Sequence, residues 1–438
     1  MLFSKTVVVA AALAPLASAH GSTGLPKIMG LDIFDRRAGS LIANLKSGGL
    51  LGAEANEKSV LEARKDDREC GEGIGSCPQD KCCSISGYCG TTPNHCYSPG
   101  CNYKYGPACP ENQHPEGTNT SSIPRPKLGS VPYGGTGVFK CKNPGTVALT
   151  YDDGPHKDFT DRILDLFKSY NAKATFFITG NNINKGQIDK TQEHINAIKR
   201  MNTEGHQIAS HTWTHLNLTK ISSEDRKNQI WNVEMALNNI VGKIPTYLRP
   251  PYSSCDAACQ QDMSDLGYHL IYFDVDTDDY EQINASRIQN SKDWFKGNIT
   301  KGGATPEKND WLTISHDIIE QTANNLTEYM LSTLTQLGYK AVTVGECLGD
   351  PEDNWYRQFG DSADRTGNSS TSTSSSSGSS GTSSATSSPT SPQGSRSTSG
   401  GAAPEQTTSS ATSALQNTGR LAYAVSALLL SVPIALAL

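Results

Sequence analysis

Short apolar, β-prone runs recur through the middle of the chain, each followed by a polar turn and often by a stretch of helical character. The runs at 147–151, 174–178, 207–210, 247–249, 269–274, 312–315 and 341–344 read as strands. Helices are expected over 158–170, 222–241, 257–266 and 321–337. Regular alternation of the two predicts an α/β domain, spanning 134–361, built on a parallel sheet or a barrel. In such folds chemistry gathers at the C-terminal ends of the strands.

Outside that domain the pattern changes four times. Between 70 and 109 aliphatic residues nearly vanish and eight cysteines take their place. So short a segment cannot bury a sufficient core and must be stapled. Residues 110–133 hold five prolines and no periodicity, and read as a linker. Residues 362–413 form a Ser/Thr/Gly tract that can bury nothing and is expected to be an O-glycosylated stalk. Residues 20–69 are weakly patterned and read as a pro-segment or spacer.

Both termini carry apolar runs of another kind. Lys5, an apolar stretch over 7–13 and Ala17-Ser18-Ala19 have the order of a secretory signal peptide over 1–19. At the other end an apolar run over 421–438 follows a polar spacer and small residues around Ser410. That order, within 414–438, predicts a GPI-anchor signal with attachment at Ser410. Secretion, anchoring at the plasma membrane and cell wall, and membrane contact through lipid alone are therefore expected. Twelve cysteines, an even number, fit a disulfide set in such a compartment. Asn119, Asn217, Asn284, Asn298, Asn325 and Asn368 each head a glycosylation triplet.

Composition adds two limits. A hydrophobic share of 36% is low for a globular chain and points to polar segments diluting a normal core. A net charge of −6 with no basic run argues against a nucleic-acid partner. A monomer is expected.

The candidate chemistry starts at Thr150-Tyr151-Asp152-Asp153-Gly154-Pro155, where a strand runs out into a Gly-Pro turn. Two adjacent carboxylates cannot both stay ionised in a cleft without a positive neighbour. A divalent metal would meet that need. His211 and His215, four residues apart, would converge on it if their stretch turns helically. One aspartate and two histidines with an open position make a catalytic zinc arrangement.

Five stretches together extend this picture. Thr150 to Pro155, His211 to His215, Arg249-Pro250-Pro251-Tyr252, Asp276-Thr277-Asp278-Asp279-Tyr280 and Ile314-Ser315-His316-Asp317 resemble, in that order, the polysaccharide deacetylases of carbohydrate esterase family four. The likeness covers residues 140–347 and implies a distorted (β/α) barrel. The cysteine segment, with adjacent Cys82 and Cys83, resembles the hevein-type chitin-binding module. That second resemblance implies the pairs Cys70–Cys83, Cys77–Cys89, Cys82–Cys96 and Cys101–Cys109, and a sugar site using Ser84 and Tyr88. Ser86 and His95 stand where that family has two further aromatic rings. In the larger domain Cys255–Cys259 and Cys141–Cys347 are the natural pairs.

Module, stalk and anchor narrow the likeness to the GPI-anchored chitin deacetylases of fungal cell surfaces. It implies hydrolysis of N-acetyl groups in chitin or chito-oligomers, giving chitosan and acetate. The alternatives are a deacetylase of xylan or peptidoglycan, and a chitin-binding wall protein without activity. By the same resemblance Asp153, His211 and His215 would hold one divalent metal: Zn, or else Co or Mn. Asp152 would be the general base, with Arg249 favouring its anion. Tyr252 would supply a backbone oxyanion donor. His316 would be the general acid, with Asp276 orienting it. Tyr280 departs from the family, which has Trp there. Trp213 is expected to pack, and His156, His206 and His269 to be structural.

Overall fold

A computed structural model describes residues 69–357. The expected signal peptide, most of the pro-segment, the stalk, Asn368 and the anchor signal with Ser410 lie outside the described residues.

The apolar runs form nine strands: β1 (Thr146–Ala148), β2 (Thr150–Asp152), β3 (Thr175–Ile178), β4 (Gln207–Ser210), β5 (Tyr247–Leu248), β6 (His269–Leu270), β7 (Val275–Asp276), β8 (Trp311–His316) and β9 (Lys340–Val342). All their pairings are parallel. From β2 the partners run through β3, β4 and β5 to β6. The stretch after β6 then crosses to β8, where Asp274 N–H donates to Leu312 O and β7 pairs with Thr313 and Ile314. Because β8 also pairs with β2, the chain of pairings returns on itself as a distorted barrel.

Side chains alternate across these strands, as extended backbone requires. Leu149 and Tyr151 face outward and pack with Ile163, Leu164 and Phe167 of α1 (Thr160–Ser169). Ala148, Phe177, Ala209, Phe273 and Leu312 belong to a second cluster. The same alternation places Thr150 and Asp152 on the face opposite Leu149 and Tyr151. Each fully buried Leu, Ile or Phe contributes about 1.5–3 kcal/mol, so these two layers hold the barrel.

The longer helices after α1 are α2 (Gln192–Thr203), α3 (Ser223–Val241), α4 (Ala257–Asp265), α5 (Ile288–Ile299) and α6 (Thr327–Leu337), and a short one spans Val344–Leu348. Ser222 caps α3 by accepting from Asp225 N–H, and Gly242 ends it at φ 68°, a left-handed conformation glycine adopts without strain. The helix expected over 321–337 begins with a π turn at Thr322–Leu326. Helices α2 and α5 have no counterpart among the expected ones.

The segment at 110–133 departs from the linker reading, because it is packed along the domain. Arg125 donates from both Nη atoms to Glu234 of α3 at 2.8 Å, and Glu234 is fully buried. An unpaired carboxylate there would cost several kcal/mol, so the arginine holds its strand of chain in place. Thr120, Ile123 and Val131 are buried beside it.

Six disulfides join Cys70–Cys83, Cys77–Cys89, Cys82–Cys96, Cys101–Cys109, Cys141–Cys347 and Cys255–Cys259. The first four replace an aliphatic core around a small hairpin that pairs Cys82–Cys83 with Cys89–Gly90. Cys141–Cys347 lies at the start of β8, where Cys141 Sγ is 3.1 Å from Trp311 O. Nearby at that same end, Tyr356–Arg357 pairs with Ile244–Pro245 just before β5. Among the described residues no helix is long and apolar enough to cross a membrane.

Candidate active site

Five motif stretches meet at the C-terminal ends of the strands. β2 ends at Asp152, and Asp153 leaves it at φ 77°. Asp152 is buried, and its Oδ1 accepts from Arg249 Nη1 at 2.7 Å. The same Nη1 donates to Thr150 Oγ1 at 2.6 Å, while Nη2 donates to Tyr272 O at 2.9 Å. The Phe177 ring lies 4.2 Å from the guanidinium carbon. Arg249 is thus held on four sides, and its fork aims one N–H at Asp152. Burial pushes the Asp152 carboxyl up to about 6, against the downward pull of Arg249 and His316.

Asp153, His211 and His215 form a second group, with donor atoms all within 4.8 Å of one another. His215 Nε2 is 3.4 Å and His211 Nε2 3.7 Å from Asp153 Oδ1. The imidazoles do not converge through a helix. Thr212 and His215 take left-handed conformations, φ 72° and 60°, and His215 N–H donates to Thr212 Oγ1 at 3.2 Å. This irregular turn brings residues four apart onto one point where a helix would stack them. His211 Nδ1–H donates to Arg249 O at 2.6 Å, which leaves its Nε2 bare toward Asp153.

The electrostatics suit cation binding. Burial lowers both imidazoles, His211 well below its ordinary value, so they stay neutral. Burial alone would raise Asp153, but at the acid pH where it titrates the imidazoles of His215, His211 and His316, once protonated, and Lys185 bring it below the ordinary range. Asp153 Oδ1 is buried with no hydrogen-bond partner, a costly state that a bound cation removes. One carboxylate and two neutral imidazoles fit a zinc-type ion well. The two cysteine trios of similar spacing are disulfide-bonded and so offer no thiolate.

His316, at the end of β8, faces this group from the other side. Its partner is Asp279, and this corrects the expectation for Asp276. His316 Nδ1–H donates to Asp279 Oδ1 at 2.7 Å, and its backbone N–H donates to Asp279 Oδ2 at 2.8 Å. Thr322 Oγ1 also donates to Asp279 Oδ2, at 2.6 Å. Asp276 instead accepts from Asp278 N–H at 2.8 Å and from Tyr280 Oη at 3.4 Å. The cause is local, because Asp278 turns left-handed at φ 52° and swings the next carboxylate back onto β8. Burial would lower His316, but Asp279 first, then Asp153 and Asp152, raise it to about 10. The Tyr280 ring stands edge-on to His316, centroids 5.4 Å apart.

Tyr252 sits across from the triad, its ring 4.6 Å from that of His215. Its φ of 59° is unusual for a bulky residue and follows Pro250-Pro251. Asp153, Thr212, His215, Tyr252 and Asp278 all have positive φ around one site, a concentration of strain typical of functional loops. Lys185, which no motif marks, donates to Asp153 O at 2.8 Å and Gly154 O at 2.7 Å and so ties down the loop carrying Asp153. The signal for it was weak, a single lysine in a polar stretch.

Other expectations sort themselves by burial. Trp213 is buried, and its Nε1–H donates to Pro110 O at 3.1 Å. His206 accepts from Ala174 N–H, His269 donates to Pro132 O, and His156 stacks on Phe159, and none of them joins the triad's donor set. Asn217 is buried and accepts from Thr219, so its triplet lies folded inward. In the cysteine-rich segment Tyr88 is 45% exposed and its N–H donates to Ser84 Oγ at 3.2 Å. His95 is buried beneath Gly90 and bonded to Thr92, so it offers no open ring face.

Known proteins resemble this chain over the same region. The family described as polysaccharide deacetylase matches residues 139–271. A chitin deacetylase of Colletotrichum lindemuthianum is 44% identical over 243 residues, 55% of this chain and 92% of that protein. A chitin deacetylase of Pestalotiopsis sp is 38% identical over 244 residues, 56% of this chain and 77% of that protein. The solved structure of the Colletotrichum lindemuthianum enzyme aligns with 43% identity and a TM-score of 0.49, over 52% of this chain and 97% of that one. Identity of 44% sustained across nearly the whole of a relative goes far beyond shared motifs, and by it the chain belongs to the polysaccharide deacetylases.

Proposed function

We propose that this protein removes N-acetyl groups from N-acetylglucosamine units of chitin, leaving chitosan and releasing acetate at the fungal cell surface. The observation that carries the reading is the convergence of two carboxylates of different character, Asp152 and Asp153, with two neutral imidazoles and one charged one. Similarity to a chitin deacetylase over 92% of its length supports the choice of polymer.

Asp153, His211 and His215 would hold a zinc ion. Such an ion would supply Lewis-acid polarisation of a carbonyl and acidify a water. Asp152, ionised and aimed by Arg249, takes the proton of the water whose oxygen attacks the carbonyl carbon. The Tyr252 backbone N–H faces the oxygen that gains charge. His316, kept protonated by Asp279, gives its proton to the amine nitrogen as the C–N bond breaks, because an amide anion cannot leave. Acetate and a free glucosamine unit result, and atoms balance with one water consumed.

The cysteine-rich segment serves as a hevein-like chitin-binding module, with Ser84 and exposed Tyr88 as its sugar contacts. Secretion through the signal peptide and anchoring near Ser410 would hold the enzyme at the wall. The test is acetate release from chito-oligomers, with chelator and then with Zn²⁺ restored. Release that stops on chelation and returns with Zn²⁺ supports the reading. Turnover confined to acetylxylan or peptidoglycan moves the substrate, and binding without release removes the activity.

A further inference from the structure

A tethered binding module would touch its enzyme little, but here the cysteine-rich module is bonded to the loops that carry the metal triad. Ser98 is fully buried, with Oγ 3.1 Å from the carbonyl of Thr214, the residue just before His215. That hydroxyl is also 2.6 Å from the buried carboxylate of Glu111. Ile183 N–H donates to Ser98 O at 2.7 Å, and Asn184 Nδ2 donates to Pro93 O at 3.1 Å. Tyr103 Oη donates to Asp225 at the start of α3, at 3.2 Å. Bonds on three separate catalytic-domain segments fix both position and rotation of the module.

The residue before Ser98 is Tyr97, only partly buried. Because Ser98 is anchored 3.1 Å from the Thr214 carbonyl, Tyr97 stands beside the turn that carries His215, with Asp153 and Tyr252 within electrostatic reach of its phenol. Tyr252 packs its ring on His215, and Tyr97 approaches the same turn from the cysteine-rich module. Gly100 lies between Tyr97 and Ile85 on the module, since a methyl placed on it would meet Ile85 Cδ1 at 3.9 Å and Tyr97 O at 3.5 Å. Ile85 is 80% exposed and lies beside Ser84 and Tyr88.

We propose that Tyr97 is a substrate-positioning residue of the deacetylase site, supplied by the cysteine-rich module, which forms a fixed wall of the cleft. Its ring stacks on the apolar face of a sugar next to the unit being deacetylated. The polymer then continues along Ile85 and Tyr88. Aromatic rings suit this task because a pyranose presents a flat array of C–H groups. This rests on the deacetylase reading, deepens it, and moves one of its specificity elements outside the catalytic domain.

The experiment compares Tyr97→Ala and Tyr97→Phe with the full-length parent on chitotetraose, reading KM, kcat and bound zinc. Tyr97→Ala is expected to raise KM roughly fivefold, with kcat within about twofold and zinc unchanged. Tyr97→Phe, which keeps the ring, restores the parental KM. An unchanged KM in Tyr97→Ala overturns the proposal, as does a Tyr97→Phe as impaired as Tyr97→Ala. Lowered zinc or a lost fold in Tyr97→Ala assigns the residue to structure, and the Tyr97→Phe comparison, also made by calorimetric titration of chitotetraose, then decides for the ring or against it. A parent that releases no acetate from any oligomer defeats the deacetylase reading itself, an outcome distinct from an active parent with indifferent variants.

Discussion

Replacing Asp279 by Asn is expected to pull down the basic limb of the pH–rate profile, whereas replacing Asp276 by Asn leaves that limb in place. Asn keeps the shape at 279 but removes the charge facing His316 Nδ1. The wild-type imidazole stands at about 10 against an ordinary 6.5, with Asp279 the leading upward cause and Asp153 and Asp152 behind it. If Asp279 accounts for roughly two pH units, or ~2.7 kcal/mol, the limb falls to about 8. At pH 9 the protonated fraction of His316 then drops from about nine-tenths to about one-tenth. Acetate release from chitotetraose, followed across the pH range with zinc saturating, should show roughly a tenfold selective loss at pH 9. A bound cation lowers the limb in every variant alike, so the comparison survives its presence. A limb unmoved by Asp279→Asn, or moved equally by Asp276→Asn, would refute the assignment. Linkage carries the same sign into stability: a raised imidazole contributes fully below about 6.5 and loses its contribution as pH climbs through about 10.

Four further outcomes rest on the geometry. Asp152→Asn is expected to retain zinc but to abolish turnover, and metal analysis beside single-turnover acetate release checks it; near-parental rates would remove Asp152 as the base. In the parent the acid limb should lie at or below about 6, since a nearby dication can only lower the Asp152 value. Arg249→Met leaves a buried carboxylate unpaired and should cost about 3–5 kcal/mol, read by denaturant unfolding of the metal-free protein. Ile85→Ser with Tyr88→Ala should weaken retention on insoluble chitin while leaving chitobiose turnover unchanged, and equal losses on both would point to a folding role for that face.

Much of the barrel was legible because its strands are buried and so stand out as apolar runs. The strand expected over 269–274 is the instructive departure. It pairs with β5 at His269 and Leu270 and resumes at Val275, because its middle crosses from one neighbour to another. Helices α2 and α5 escaped notice because polar residues occupy buried positions of their stripes, His194 in one and Ser291 in the other. The motifs marked the right stretches, yet spacing alone could not say which of three nearby acids reaches His316. That depended on one left-handed residue, Asp278, whose conformation no short-range pattern announces. Likewise the prolines of 110–133 suggested a free tether, while a single distant partner, Glu234, turned the segment into packed structure.

The bridge between Cys141 and Cys347 gathers both ends of the barrel at one pole, and Arg357 leaves from that pole too, beside Gly267. Reducing that one bond would let the first and last strands part at their base, while the left-handed turns at the opposite pole keep the hydrogen bonds that shape them.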